Sequence, residues 1–153
     1  MNDSPTLRRA GSPPQAIAVD DPLGFWSARP CLAAPAHLGA RGRGLMALRD
    51  MAAGTLIERA CTVEIGAEQS KPLDAMQPLG DFYFEHPQDP ARGLMAFGLM
   101  SLINHDETAN ADVRWQWHAD LGWLADLVAI RAIRAGDEIT YRYKCPLWFD
   151  EQA

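Results

Sequence analysis

The chain has 153 residues, the length of one ordinary domain, and its 48% hydrophobic and 22% charged side chains sit near the globular norm, so no staple is needed to hold a core together. Twenty acidic against 14 basic residues give a formal charge of -6, which disfavours direct nucleic-acid binding and suits a basic partner. Cys31, Cys61 and Cys145 form no Cys-x-x-Cys pair, which argues against a cysteine-built zinc site or a disulfide scaffold, and no apolar run approaches the ~18 residues of a membrane span.

From the N-terminus, residues 1–24 carry Pro5, Pro13, Pro14 and Pro22 among small and polar residues, and read as a flexible arm. Ile17 and Val19 have the composition of an edge strand. The polar start, Met1-Asn2-Asp3-Ser4-Pro5, lacks a signal-peptide core, and a cytoplasmic location is expected. Residues 25–153 read as the folded domain. Within it, 40–50 predicts a glycine turn entering a short strand, and 51–54 a turn. Residues 55–65 predict a strand pair or one bent strand. Residues 67–79, with Pro72 and Pro78 towards their ends, predict one short helical turn. Phe82-Tyr83-Phe84 predicts a strand, with Pro87 and Pro90 then breaking the chain. Residues 92–97 read as a strand, 99–103 as a compact turn or short helix, and 104–110 as a polar loop. Val113, Trp115 and Trp117 alternate with polar residues, a period of two that predicts a half-buried strand; residues 123–130 return as its hairpin partner. After a turn at 134–137, residues 139–143 predict a last strand, with Tyr141 and Tyr143 on one face. Most of the five Trp are expected in the core. Many short strands, tight turns and little helix make the fold class mainly β.

Three stretches can carry chemistry. Gly42-Arg43-Gly44 lets a backbone approach a ligand closely, but a strand follows it where a dinucleotide site needs a helix, and a plain hairpin turn accounts for it as well. In Asn104-His105-Asp106-Glu107-Thr108-Ala109-Asn110, the adjacent His105, Asp106 and Glu107 are too close in sequence to converge on a metal. A solvated loop with local caps competes with a site in which the Asn amide, both donor and acceptor, reads an adenine edge. In Glu138-Ile139-Thr140-Tyr141-Arg142-Tyr143, the two phenols fit core packing or the positioning of an amine or a sulfonium group.

Together and in this order the three stretches resemble the signature motifs of the SET-domain family of protein-lysine methyltransferases. Gly42-Arg43-Gly44-Leu45-Met46-Ala47, with Asp50 and Ala53-Gly54 behind it, resembles the opening GRGLFA…D…AG segment. Ile103-Asn104-His105 with Asn110-Ala111 resembles the NH…PNA motif, and residues 138–143 resemble EL-T-Y-D-Y. The resemblance runs from about Leu38 to Phe149. It implies a β-clip fold of small curled sheets with a C-terminal pseudoknot, in a small form lacking zinc-binding flanks.

It also implies S-adenosylmethionine as cofactor and a basic protein or peptide presenting a lysine as partner, and it leaves the oligomeric state open, a homodimer included. By the same resemblance Gly42, Arg43, Gly44 and Leu45 line the cofactor, Asn104 holds its amino end, and His105 holds its adenine edge. Trp148 or Phe149 covers the adenine ring. Tyr143 matches the catalytic tyrosine and Tyr141 a residue of the lysine channel. The chain departs from the pattern in Arg142 for Asp, Leu102 for Phe, and Glu107 and Ala109 for Cys and Pro. It also lacks a clear Tyr-x-Gly motif, Tyr83 being the nearest upstream tyrosine. That gap favours the alternative of a weakly active or inactive peptide-binding module.

Overall fold

The computed structural model describes residues 31–76 and 78–144. Nine strands carry the fold: β1 (Ala33–His37), β2 (Arg43–Ala47), β3 (Leu56–Ile65), β4 (Phe84–His86), β5 (Asp89–Ala96), β6 (Asn104–His105), β7 (Ala111–His118), β8 (Gly122–Ala129) and β9 (Glu138–Tyr141). One helix, α1 (Ala67–Asp74), and 3-10 turns at Gly39–Arg41, Leu79–Phe82 and Leu99–Leu102 complete the described residues.

The strands join in the order β1-β2-β9-β7-β8-β3-β5-β4, with β6 beside β9. This corrects the expectation of small curled sheets: among the described residues the path is one continuous ladder, open at both ends, with β1 and β4 as its edges. Two strands make it continuous. β3 pairs with β8 between Leu56 and Cys61 and with β5 between Thr62 and Ile65, so one long strand serves two ladders. β9 pairs antiparallel with β2 and parallel with β6 and β7, Tyr141 being the register partner of both His105 and Ala111. The segment after Lys144, on which the expected pseudoknot depends, lies outside the described residues. So does the expected boundary after residue 24.

The β7–β8 hairpin pairs eight residues on each strand, from Ala111↔Ala129 to His118↔Gly122. Val113 faces the core with Ala125, Leu127 and Ala129, joined there by Leu45, Met100, Ile133 and Ile139. β8 lies between β7 and β3 and is buried along six consecutive residues, which explains why it reads as an apolar run rather than an alternation. Its one charged member, Asp126, is buried, and its carboxylate accepts from Arg59 Nε and Nη2 (2.6 and 2.5 Å) and from Gln116 Nε2 (2.7 Å). The Asp126 hydrogen bonds hold the Arg59 guanidinium pKa above its usual value, against the opposing effect of burial.

Of the two readings of residues 55–65 the single strand holds, as Leu56–Ile65 with a register shift between Leu56 and Glu58. Other expectations shift in detail. The helix is longer than one turn and contains Pro72. Pro90 lies inside β5, on the stretch outside the β3 ladder, where its missing N–H breaks no pairing with β3. Asn104 and His105 form β6 rather than loop. β1 was not foreseen, and Tyr143 lies just beyond the end of β9. Trp117 is 63% exposed, against the expectation for most tryptophans; Trp26 and Trp148 lie outside the described residues.

Candidate active site

The glycine motif bends out of the Gly39–Arg41 turn into β2. Gly42 has φ 71°, a left-handed conformation, while Gly44 is needed for space: a Cβ there would stand 2.6 Å from Asn104 Nδ2, 2.6 Å from Leu38 Cδ1 and 3.1 Å from Glu138 Oε1. Arg43 is exposed beside it, and Leu45, fully buried opposite Ile139, anchors the strand in the core. Asn104 Nδ2 donates to Glu138 Oε1 (2.9 Å), and the other carboxylate oxygen of Glu138 lies 3.1 Å from Arg41 Nε. Arg41 Nη2 donates to the His105 carbonyl (2.6 Å). Three segments far apart in sequence, at Gly44, Asn104–His105 and Glu138, are thus tied together by the Asn104–Glu138 bond and by the Arg41 guanidinium, which bridges Glu138 and the His105 carbonyl. Arg41 was not singled out from sequence, where a charge on a glycine turn reads as solvated. Its position directly before the motif was the only signal.

The turn after β6 is fixed by side chains. Asn110 donates from Nδ2 to the Glu138 carbonyl (2.7 Å) and accepts the Thr140 amide on Oδ1 (2.9 Å), standing in for a strand partner of β9. The Thr108 hydroxyl and amide donate to Asp106 and hold its carboxyl below the usual carboxylate range, helped by Arg41 and Arg131. His105 Nδ1 accepts the Tyr143 amide (2.9 Å), and its ring lies edge-on to the Tyr143 ring at 5.3 Å. Its Nε2 lies 3.6 Å from Glu107, which also pairs with Arg142 at 2.8 Å. Two of the departures from the family pattern, Glu107 and Arg142, therefore compensate each other in charge.

On the far side of the Ile103–His105 segment opens a cleft of about 670 Å³. Ile103, Tyr141 and Tyr143 line it from the body, α1 and the β4–β5 hairpin from the flank. The Tyr143 hydroxyl donates to the Ile103 carbonyl (2.6 Å). Tyr141 is buried, with its ring centroid 6.2 Å from that of Tyr143. Phe84 stands edge-on to Tyr141 at 5.8 Å, backed by Trp115 at 5.6 Å. In the sequence Phe84 reads only as a strand residue; its place as an aromatic wall depends on contacts with Tyr141 and Trp115, which are distant in the chain. Tyr83 also lines the cleft, with its ring against Gly93 and its hydroxyl donating to Asp74 on α1. Trp148 and Phe149 lie outside the described residues.

The arrangement puts two different environments back to back: a glycine backbone with polar side chains on one side, and an aromatic cleft on the other. The fold is similar to that of a candidate histone methyltransferase from Plasmodium falciparum, with TM-score 0.59 and 21% identity over 79% of this chain and 100% of that one. It is also similar to a humanized mutant of the Chaetomium thermophilum Polycomb Repressive Complex 2 bound to the inhibitor GSK126, with TM-score 0.58 and 20% identity over 74% of this chain and 14% of that one. No curated protein matches the chain. The SET domain family model matches residues 42–144, which span the glycine motif, Asn104-His105 and both tyrosines. The chain belongs to the SET-domain family.

Proposed function

We propose that the chain transfers a methyl group from S-adenosylmethionine to the side-chain amine of a lysine in a protein substrate. Membership of the SET-domain family supports this activity in general terms. The observation that carries it to this chain is the partition at Ile103–His105. Asn104 faces Gly44 and Glu138, while Ile103 holds the Tyr143 hydroxyl in the cleft behind.

The residues present fit the cofactor. Gly42 leaves open space where a Cβ would stand, Gly44 lets the Asn104 side chain approach the backbone closely, and Asn104 adds an amide that both donates and accepts. The His105 backbone is held in place by the bond from Arg41 Nη2 to its carbonyl. Gly42, Arg43, Gly44, Leu45, Asn104 and His105 would hold it. When bound, S-adenosylmethionine supplies a methyl group on a sulfonium, ready for in-line displacement.

The chain's own residues then prepare the lysine. Only a neutral amine has the lone pair the reaction needs. The aromatic walls of Phe84, Tyr141 and Tyr143 disfavour the ammonium by desolvation and bias the lysine towards the neutral form. The Tyr143 hydroxyl has one proton, committed to Ile103, so its oxygen serves the cleft as an acceptor that orients an amine N–H and steadies developing positive charge. Holding the amine in line supplies much of the remaining acceleration. The acidic balance of the chain suits a basic, flexible segment as the source of the lysine.

The test combines calorimetry with S-adenosylmethionine and its demethylated product with labelled-methyl transfer to basic proteins and peptides. Binding plus label on lysine is the expected result. A folded sample that binds neither compound, with peptide present, would overturn the proposal. Binding without transfer would leave only the peptide-binding role.

A further inference from the structure

Glu58 lies on β3, outside the three motifs of the site, yet its carboxylate reaches across to the turn that leads into the site. Oε1 accepts the Leu99 amide (2.8 Å) and Oε2 the Met100 amide (2.7 Å). The register shift between Leu56 and Glu58 accompanies this reach, as irregularities in a ladder do where a side chain is re-aimed. Gly98 leaves room for it: a Cβ there would lie 2.6 Å from Oε1 and 2.8 Å from Cδ of Glu58. The turn is closed by Ile103 N–H donating to the Met100 carbonyl (3.2 Å), and Met100 is fully buried. The next carbonyl in the chain that matters is that of Ile103, which receives the Tyr143 hydroxyl at 2.6 Å. A direct line of contacts thus runs from the Glu58 carboxylate through two amides and one turn to the hydroxyl.

We infer that Glu58 is a positioning residue for methyl transfer: by holding the Leu99–Leu102 turn it sets the Ile103 carbonyl, and through it the direction of the Tyr143 hydroxyl. A carboxylate suits the task because two parallel N–H groups need two acceptor oxygens. Glutamine, of the same shape, offers one acceptor and turns its NH₂ towards the other amide. The inference rests on the proposed reaction for its kinetic consequence, but its structural part can be read without turnover.

The experiment is a double-mutant cycle of Glu58→Gln and Tyr143→Phe, with amide hydrogen exchange on the parent and Glu58→Gln proteins. In the parent background Glu58→Gln should lower kcat about tenfold or more, the scale of a sub-ångström misplacement, with the peptide KM little changed. In the Tyr143→Phe background the same substitution should cost almost nothing further, because the hydroxyl through which it acts is gone. Exchange at Ile103 and Tyr143 should quicken along with that at Leu99 and Met100. Equal losses in both backgrounds, or a kcat loss under about twofold in the parent background, would overturn the inference. If the parent shows no transfer, the proposed reaction fails and the exchange data alone decide: unchanged exchange at Ile103 and Tyr143 refutes the positioning role, and quickened exchange at both supports it.

Discussion

Adding one methyl group at Gly44 should damage cofactor binding more than it damages the fold. In Gly44→Ala the new Cβ starts 2.6 Å from both Asn104 Nδ2 and Leu38 Cδ1, where ordinary contact is 3.4–4 Å, so each must retreat by close to an ångström. Leu38 is the tip of a half-buried side chain and can yield. Asn104 cannot move that far and keep its 2.9 Å bond to Glu138 Oε1. Overpacking of this kind costs about 1–3 kcal/mol, and the low end applies because only side-chain tips are met. For a domain of this length about 1 kcal/mol corresponds to a fall of roughly 2–4 °C in Tm. Affinity for S-adenosylmethionine, measured by calorimetry, should fall about tenfold or more, since the displaced amide is the group proposed to hold it. Gly42→Ala is the contrast: a Cβ there meets nothing within 4 Å, and only φ 71° resists it, at about 1–2 kcal/mol. A Gly44→Ala protein with parental affinity and melting would refute the argument from close approach.

Two further predictions concern stability. Arg59→Ala leaves the buried Asp126 carboxylate without its guanidinium, with the Gln116 amide still donating to it; a cost of about 3 kcal/mol, at the low end for breaking a buried pair, should lower Tm by roughly 6–12 °C. The double variant Arg59→Ala/Asp126→Ala should melt above Arg59→Ala alone, and failure to do so would mean the stranded charge is not the cause. Asp106 has a depressed pKa in the folded chain, so its contribution is present above the unfolded value of about 4 and disappears as pH falls through the lower folded one. The Tm difference between parent and Asp106→Asn should accordingly be largest above about pH 4 and shrink below it; a difference that is flat with pH would contradict that account.

The parts of the fold legible in the sequence are those set by local pattern. The alternation around Val113, Trp115 and Trp117 marked β7, and the apolar return marked β8. β1 was silent because Ala33-Ala34-Pro35-Ala36-His37 has no β-branched residue, and it forms by pairing along β2 at the edge of the sheet. β6 is two residues long and exists only because β9, some 36 residues later, lies alongside it. The sheet's continuity was equally hidden, since it depends on β3 and β9 each serving two ladders. At the site, spacing alone left Asn104, His105 and Tyr143 as candidates for loop caps and core; the family resemblance linked them. Neither spacing nor resemblance pointed to Arg41, Glu58 or Phe84, whose roles arise from contacts between distant segments.

The central claim, that the Tyr143 hydroxyl serves the chemical step, is tested most directly by single-turnover methyl transfer with Tyr143→Phe on a lysine peptide. The ring remains to pack against His105 and Tyr141, while the bond to the Ile103 carbonyl is lost. That loss costs about 1 kcal/mol of stability, so Tm should stay within a few degrees of the parent. The account predicts a rate lowered about 100-fold or more with cofactor affinity nearly unchanged, the scale of removing one preorganised polar group from a transition state. A rate within about threefold of the parent in a folded, cofactor-binding variant would contradict it and leave Tyr143 as a packing residue.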